Sequence, residues 1–524
     1  MTPIRWPRAA AAGVLVVLAA LIAAERLHTY DEPLERDITT YAVIGHELLA
    51  GRRLYSDLWD HKPPAVHATF AAAEALVGYG AQEVYLVNVL AGVATLLGVF
   101  AAARAGGCGR GMALWAAAFW AVISGDARSW ANQPNTEVFL NACLIWALAA
   151  MLAMRGDARD GARVVSAGCL FALASLYKPV AVAVAAPLAL VHVAWPPGER
   201  PDRRRALLQA VALAVPGALA WIGTLAWFGL SGRLGDFTAA VFAFNRFYAG
   251  DTVANLGHGL EPGELLGGAL IGAVPLAVAA VGLLAAARAR RFGRTALLAL
   301  AYAIGTFAAV ALPGQFWPHY FQLWLPLVAV AGGLGIAALQ EAAVPRRPWL
   351  GRAAAAALLA ILVAQQAPSY GRSADAWSER KYGTRFVVWR ERARAVDAVL
   401  APGETFYEWG AETGLYFYSQ RRPPTGVFYN YPLRFGPLVR ALSARTVRDL
   451  AAHPPELVLI PLGEPAPMGH PVLDWIAQRY APVEVPGVGP DVEALARVGG
   501  ALQARSRRAA PPRGGEPGSP LPRG

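Results

Sequence analysis

The sequence predicts a polytopic α-helical membrane protein of about eleven spans, with a small α/β domain on the outer side of the membrane. Three observations predict it. Of 524 residues, 56% are hydrophobic and 16% charged, where a soluble domain carries about 25% charged residues. A chain so poor in polar groups cannot cover its surface in water. The apolar residues are gathered into runs of the length that crosses a bilayer, roughly 17–25 residues. Arginines stand in short clusters between those runs, as at Arg203–Arg205 and at Arg288, Arg290, Arg291 and Arg294, which is the pattern of cytoplasmic loops. The same clustering excludes nucleic acid as a partner despite a net charge of +11, because no basic stripe interleaved with aromatics is formed.

Taken in order, the expected spans are Ala9–Ala24, Val84–Ala103, Met112–Ser124, Thr136–Met154, Val164–Tyr177, Val180–Trp195, Leu207–Gly229, Leu265–Ala287, Thr295–Leu312, His319–Leu339 and Ala353–Gln366. The first follows Arg5 and Arg8 without a small-residue cleavage site, so it reads as a signal anchor. Placing the N-terminus in the cytoplasm puts most loop arginines inside. The short outer loops then hold only Arg128, Lys178, Arg233 and Arg246. Residues 1–366 form the expected membrane domain.

Three polar segments face outwards in this topology: the loop 25–64, the loop around 236–261 with Phe242, Phe244, Phe247 and Tyr248, and a domain over 367–500. In that domain, expected helices (Val388–Leu400, Leu438–Ala451, Val472–Tyr480) alternate with β-type runs (Thr405–Trp409, Gly426–Tyr429, Leu457–Ile460). The tail 501–524 is expected to be disordered, being Pro- and Gly-rich towards its end. The three cysteines, Cys108, Cys143 and Cys169, have neither metal-ligand spacing nor the number for a disulfide framework.

The loop 25–64 carries the chemistry. Asp37 opens a helical pattern with Ile38, Tyr41, Ala42, Gly45, Leu48 and Leu49 on one stripe, read as a surface helix lying on the membrane and closed by Gly51. Then follows Tyr55-Ser-Asp-Leu-Trp59-Asp60-His61-Lys62-Pro63-Pro64. Asp37 suits a helix N-cap and Lys62 a snorkelling interfacial cation; together at the outer rim they also suit an anionic substrate. Only three lysines occur among 47 basic residues. Two of them, Lys62 and Lys178, stand at the outer rim and precede proline.

Residues 35–64 resemble the first outer loop of the bacterial GT-C glycosyltransferases of family 39, relatives of the protein O-mannosyltransferases and of the aminoarabinose transferases of lipid A. The shared order is an acidic residue four before Tyr-Ala, then Leu-x-Gly, then Tyr-x-Asp-x-Trp-Asp-x-Lys-Pro-Pro. Asn135-Thr-Glu137, Leu176-Tyr-Lys178-Pro179, Pro318-His319-Tyr320-Phe321 with Pro326, and Phe406–Gly410 through Leu415–Phe417 extend the resemblance from about residue 30 to 480.

The resemblance implies a GT-C membrane fold and transfer of a sugar from a polyprenyl-phosphate donor to an acceptor hydroxyl on the periplasmic face of a bacterial inner membrane. The acceptor's class (glycan, lipid or protein) stays open. It implies Asp37 as general base, Lys62 and Lys178 as ligands of the donor phosphate, and Glu137, Tyr41, His319 and Tyr320 as sugar or acceptor contacts, with no metal and no cofactor. The eukaryotic branch has two adjacent acidic residues where this chain has Asp37-Ile38, which separates it from that branch. The alternative reading is a lipid or sugar transporter. Against it, the ionisable residues gather at the outer rim rather than at the midplane, where transporters place their sites.

Overall fold

A computed structural model describes residues 7–199, 201–264, 293–343, 348–465 and 467–509. By packing, the chain divides into two units, Met1–Val387 and Val388–Gly524.

The first unit is helical. Its opening elements are α1 (Arg8–His28), α2 (Arg36–Leu49), α3 (Ala65–Val77), α4 (Ala81–Ala105), α5 (Arg110–Ile123), α6 (Thr136–Leu152), α7 (Asp160–Tyr177), α8 (Val182–Ala194) and α9 (Arg203–Leu230). Helices Gly293–Ala311, Leu325–Ala343, Pro348–Tyr370 and Ala374–Tyr382 follow. Among the described residues six helices are long and apolar enough to cross a membrane: α1, α4, α9, Gly293–Ala311, Pro318–Ala338 and Trp349–Tyr370. Four shorter apolar helices accompany them, including α3, α5 and α6. The expected span Leu265–Ala287 lies outside the described residues.

Packing runs α4 on α6, α6 on α7 and α7 on α9, while α5 and α8 each pack on a later helix. Close crossings need small residues, as between helices in lipid. A Cβ on Gly305 would lie 2.4 Å from Val184 Cα in α8.

The helix α2 departs from the expected surface helix. Glu35 is its N-cap, accepting the Asp37 N–H at 3.0 Å. Its buried residues include Thr39, Thr40, Val43 and Glu47 as well as Ile38, Tyr41, Ala42 and Gly45 of the apolar stripe, whereas Leu48 of that stripe is half-buried and Leu49 exposed. The reason is α3, which the helix meets at Gly45, where a Cβ would sit 2.8 Å from Ala71 N. A stripe on one face could not predict a second covered face.

The second unit holds a four-stranded sheet of β1 (Phe406–Glu408), β2 (Leu457–Pro461), β3 (Tyr480–Pro482) and β4 (Val492–Arg497), in the order β1-β2-β4-β3. Strands β1 and β2 are parallel, with Tyr407 opposite Val458; the other two pairings are antiparallel. Gly426–Tyr429 is not a strand: the Asp449 carboxylate takes the Thr425 hydroxyl and the Gly426 N–H, turning the chain there. The expected helix over 472–480 ends at Ala477, and Tyr480 begins β3. Residues 367–387, expected in the outer domain, pack with the first unit. The tail is ordered further than expected, since Ala501–Ala509 is a helix beside β4 with Leu502 buried. Residues 510–524 lie outside the described ones.

Candidate active site

Proline builds the two lysine positions. A residue before proline is pushed out of the helical region, so Lys178 ends α7 in extended backbone (φ −156°, ψ 120°) ahead of Pro179. Lys62 stands likewise before Pro63-Pro64, at the start of α3. Lys178 is thereby carried at the end of a helix and Lys62 in the turn that leads into one.

The Lys62 turn is held from several sides. Tyr55, buried at φ +70°, donates its hydroxyl to the Lys62 carbonyl at 2.8 Å. Asn245 donates to the His61 carbonyl at 2.7 Å; it follows a π-helical turn, Ala239–Phe244, that also sets Phe244 edge-on to Trp59. Asp60 accepts the His61 N–H at 2.7 Å and lies 3.0 Å from His67 Nε2. Burial alone would raise the Asp60 carboxyl, but hydrogen bonds from His61 and His67 outweigh it and hold it well below the usual carboxylate range.

All seven residues singled out in the sequence meet here. Lys62 Nζ lies 3.9 Å from Asp37 Oδ2, and the Asp37 side chain is 36% exposed. Burial by itself would lower the Lys62 ammonium; the charges of Asp37 and Asp60 outweigh it, so its pKa is raised. Lys178 Nζ contacts Glu137 Oε1 at 2.6 Å and sits 3.6 Å from the centre of the Tyr320 ring. His319 is edge-on to Tyr320 at 4.8 Å, and the charges of Glu137, Asp37, Lys178 and Lys62 all reach it. The Tyr41 hydroxyl reaches Asn135 Oδ1 at 3.5 Å, and the Asn135 amide donates to Glu35 at 3.4 Å. Burial, then the like charge of Asp37, pushes the Glu35 carboxyl up to about 8.

Sequence reasoning left several members unassigned. Glu35, Asn135, Asp60, His67, Tyr55 and Asn245 orient the predicted residues, and Tyr248 is within electrostatic reach of both Lys62 and Tyr320. Trp130 was unassigned too. It takes φ +54°, a conformation that costs a non-glycine residue of order 1–3 kcal/mol and persists where the surroundings over-determine it. Among the described residues no group of three or more His, Cys, Asp or Glu is placed to hold a metal ion.

Chemically the site presents a half-exposed carboxylate beside one ammonium, a second ammonium on an aromatic ring, and a rim of tyrosine and histidine. Two cations can hold an anion, and the exposed carboxylate can take a proton from a hydroxyl.

Residues 61–227 match the model of the dolichyl-phosphate-mannose-protein mannosyltransferase family. No protein of curated function matches the sequence. Among solved structures, the chain is similar to ArnT from Cupriavidus metallidurans bound to undecaprenyl phosphate, with a TM-score of 0.60 and 18% identity over 95% of this chain and 99% of that one. It is also similar to the oligosaccharyltransferase AglB from Archaeoglobus fulgidus in complex with an inhibitory peptide and a dolichol-phosphate. There the TM-score is 0.51 and the identity 14%, over 86% of this chain and 69% of that one.

Proposed function

We propose, from the GT-C fold that this chain has, that it is a membrane glycosyltransferase moving a sugar from a polyprenyl-phosphate donor to an acceptor hydroxyl on the extracytoplasmic face of a bacterial inner membrane. The observation that carries the reading is the pair at the lip of the site: an exposed carboxylate, Asp37, 3.9 Å from the ammonium of Lys62. Structures of this fold hold undecaprenyl phosphate and dolichol-phosphate, which supports a lipid phosphate as the ligand of the lysines.

In this reading the acceptor oxygen attacks C1 of the sugar on the face opposite the phosphate and gives its proton to the Asp37 carboxylate. The C1–oxygen bond to phosphate breaks, and its electron pair stays on the phosphate oxygen. Configuration at C1 is inverted. Asp37 becomes neutral as the phosphate gains charge, so Lys62 exchanges one anionic partner for another within the same step. Positive charge aimed at the place where negative charge develops is the largest single source of catalysis in many enzymes, and Lys62 and Lys178 supply it here. Glu137 keeps Lys178 oriented on Tyr320; Tyr41, His319 and Tyr320 line the sugar.

The test is release of free polyprenyl phosphate by the purified protein in lipid, offered labelled polyprenyl-phosphate sugars. Turnover that disappears with Asp37→Asn supports the reading. Equal turnover in an Asp37→Asn protein that inserts normally refutes it.

A further inference from the structure

The aromatic wall does not stop at His319. Trp130 is tilted against His319 at 5.8 Å between ring centres, and Tyr382 is edge-on to Trp130 at 4.6 Å. Tyr320 and His319 are buried, whereas Trp130 and Tyr382 are only partly buried, so the wall opens as it leaves Lys178.

Unusual effort holds those two rings in place. Trp130 has left-handed backbone, and the loop around it is tied down on every side. Gln366 donates to Asp126 at 2.6 Å. Gln322 donates to the carbonyls of Ser129 and Trp130 at 3.2 and 3.3 Å. Asn132 donates to Glu32 at 2.5 Å and accepts from Lys381 at 2.9 Å. Lys381, the third lysine, makes an ion pair with Glu32 at 2.5 Å in which neither side chain is exposed, and its neighbour in the chain is Tyr382. Buried charge is costly unless paired and hydrogen-bonded; here that network ends in two aromatic residues that the protein covers only in part, which core packing does not require.

We propose that Trp130 and Tyr382 form a carbohydrate platform that binds a sugar ring of the acceptor through its apolar C–H face, so that the acceptor is a glycan-bearing molecule. An indole offers a broad, rigid apolar surface for such a face. The inference rests on the glycosyl-transfer reading above. The donor sugar is bonded to the phosphate and stays within one ring's breadth of the lysines, whereas two rings, Tyr320 and His319, separate Lys178 from Trp130.

The experiment uses the full chain in lipid nanodiscs, as wild type, Trp130→Ala and Trp130→Phe. Saturation-transfer NMR with free mannobiose, chitobiose and arabinobiose reads sugar binding without needing turnover. Product analysis with labelled donor and the same disaccharides reads the partition between transfer to water and transfer to sugar. The expected result is a saturation-transfer signal from at least one disaccharide that Trp130→Ala weakens ten-fold or more and Trp130→Phe largely keeps, with partition moving at least ten-fold towards water in Trp130→Ala. No Trp130-dependent signal from any disaccharide overturns the proposal. So does an unchanged partition, or a rise confined to the donor's KM, which would make the platform a donor site. Failure of the glycosyl-transfer reading is seen separately, as absence of turnover in wild type while sugar binding persists.

Discussion

Asp37→Asn separates two effects of one carboxylate. In the proposed role of general base, Asp37 contributes about 10²–10⁴-fold, so the amide is expected to lower kcat by that factor, or roughly 3–5 kcal/mol of transition-state stabilisation. As the partner of Lys62 it acts in the opposite direction on donor binding. Two unit charges 3.9 Å apart attract by about 4 kcal/mol at an effective dielectric constant of about 20. The Asp37 side chain is 36% exposed, and exposed pairs are screened to about 1 kcal/mol or less. Removing the carboxylate frees Lys62 for phosphate, and the apparent affinity for donor rises by up to about five-fold. The assay is steady-state release of polyprenyl phosphate over a donor titration, with equilibrium binding of donor in parallel. The expected signature is a large fall in kcat with a KM that falls or stays level. A rise in KM with unchanged kcat would refute the reasoning, because it would make Asp37 a donor contact and not a base.

Lys62→Ala raises the donor's KM and Lys62→Arg recovers part of the loss, read in the same titration; equal values in all three forms remove Lys62 from the site. Glu137→Gln leaves Lys178 buried without its partner, which costs about 3–5 kcal/mol. It lowers the thermal stability more than the double variant Glu137→Gln/Lys178→Met does, and differential scanning fluorimetry compares them. Tyr55→Phe deletes the hydroxyl that holds the Lys62 carbonyl, a bond worth about 1 kcal/mol; donor KM rises a few-fold while kcat changes less. Glu35 has its pKa raised from 4.5 to about 8 in the fold, so between those values the unfolded chain has lost a proton that the folded one keeps. Stability is therefore full below about pH 4.5 and falls as pH rises towards about 8. Glu35→Gln flattens that slope in unfolding curves taken at pH 5, 6.5 and 8.5.

What was legible in the sequence, and what was not, divides along a physical line. Helices were legible because an apolar run of bilayer length has few other uses, and all but one of the expected spans overlap helices among the described residues. The charged members of the candidate site could be singled out because a lysine at an apolar border is costly to keep, and Lys62 and Lys178 each stand before proline, Lys178 at the end of α7 and Lys62 in the turn that leads into α3. Boundaries were not legible where short segments borrow their order from distant partners. Lys381 lies beyond the last span, yet it packs with the first unit because Glu32, 349 positions earlier, takes its charge. The strand β4, Val-Glu-Ala-Leu-Ala-Arg, has a single β-branched residue and so gives a weak signal alone; it is made by pairing on both sides with β2 and β3.

The uncharged scaffold of the site was hidden for the same reason. Gln322 and Asn245 are ordinary residues in the sequence; each acquires a role only when distant segments meet, as when Asn245 caps the His61 carbonyl 184 positions away. Motif reasoning finds residues whose type is expensive where they stand, such as a lysine beside lipid. It misses residues that are cheap anywhere and matter through one geometry. Trp130 belongs to the second kind, since the backbone strain that marks it exists only in the folded chain. Its substitution thus tests whether the strain serves a ligand: if it serves only packing, phenylalanine and alanine at position 130 will differ in stability while dividing the sugar between water and acceptor alike.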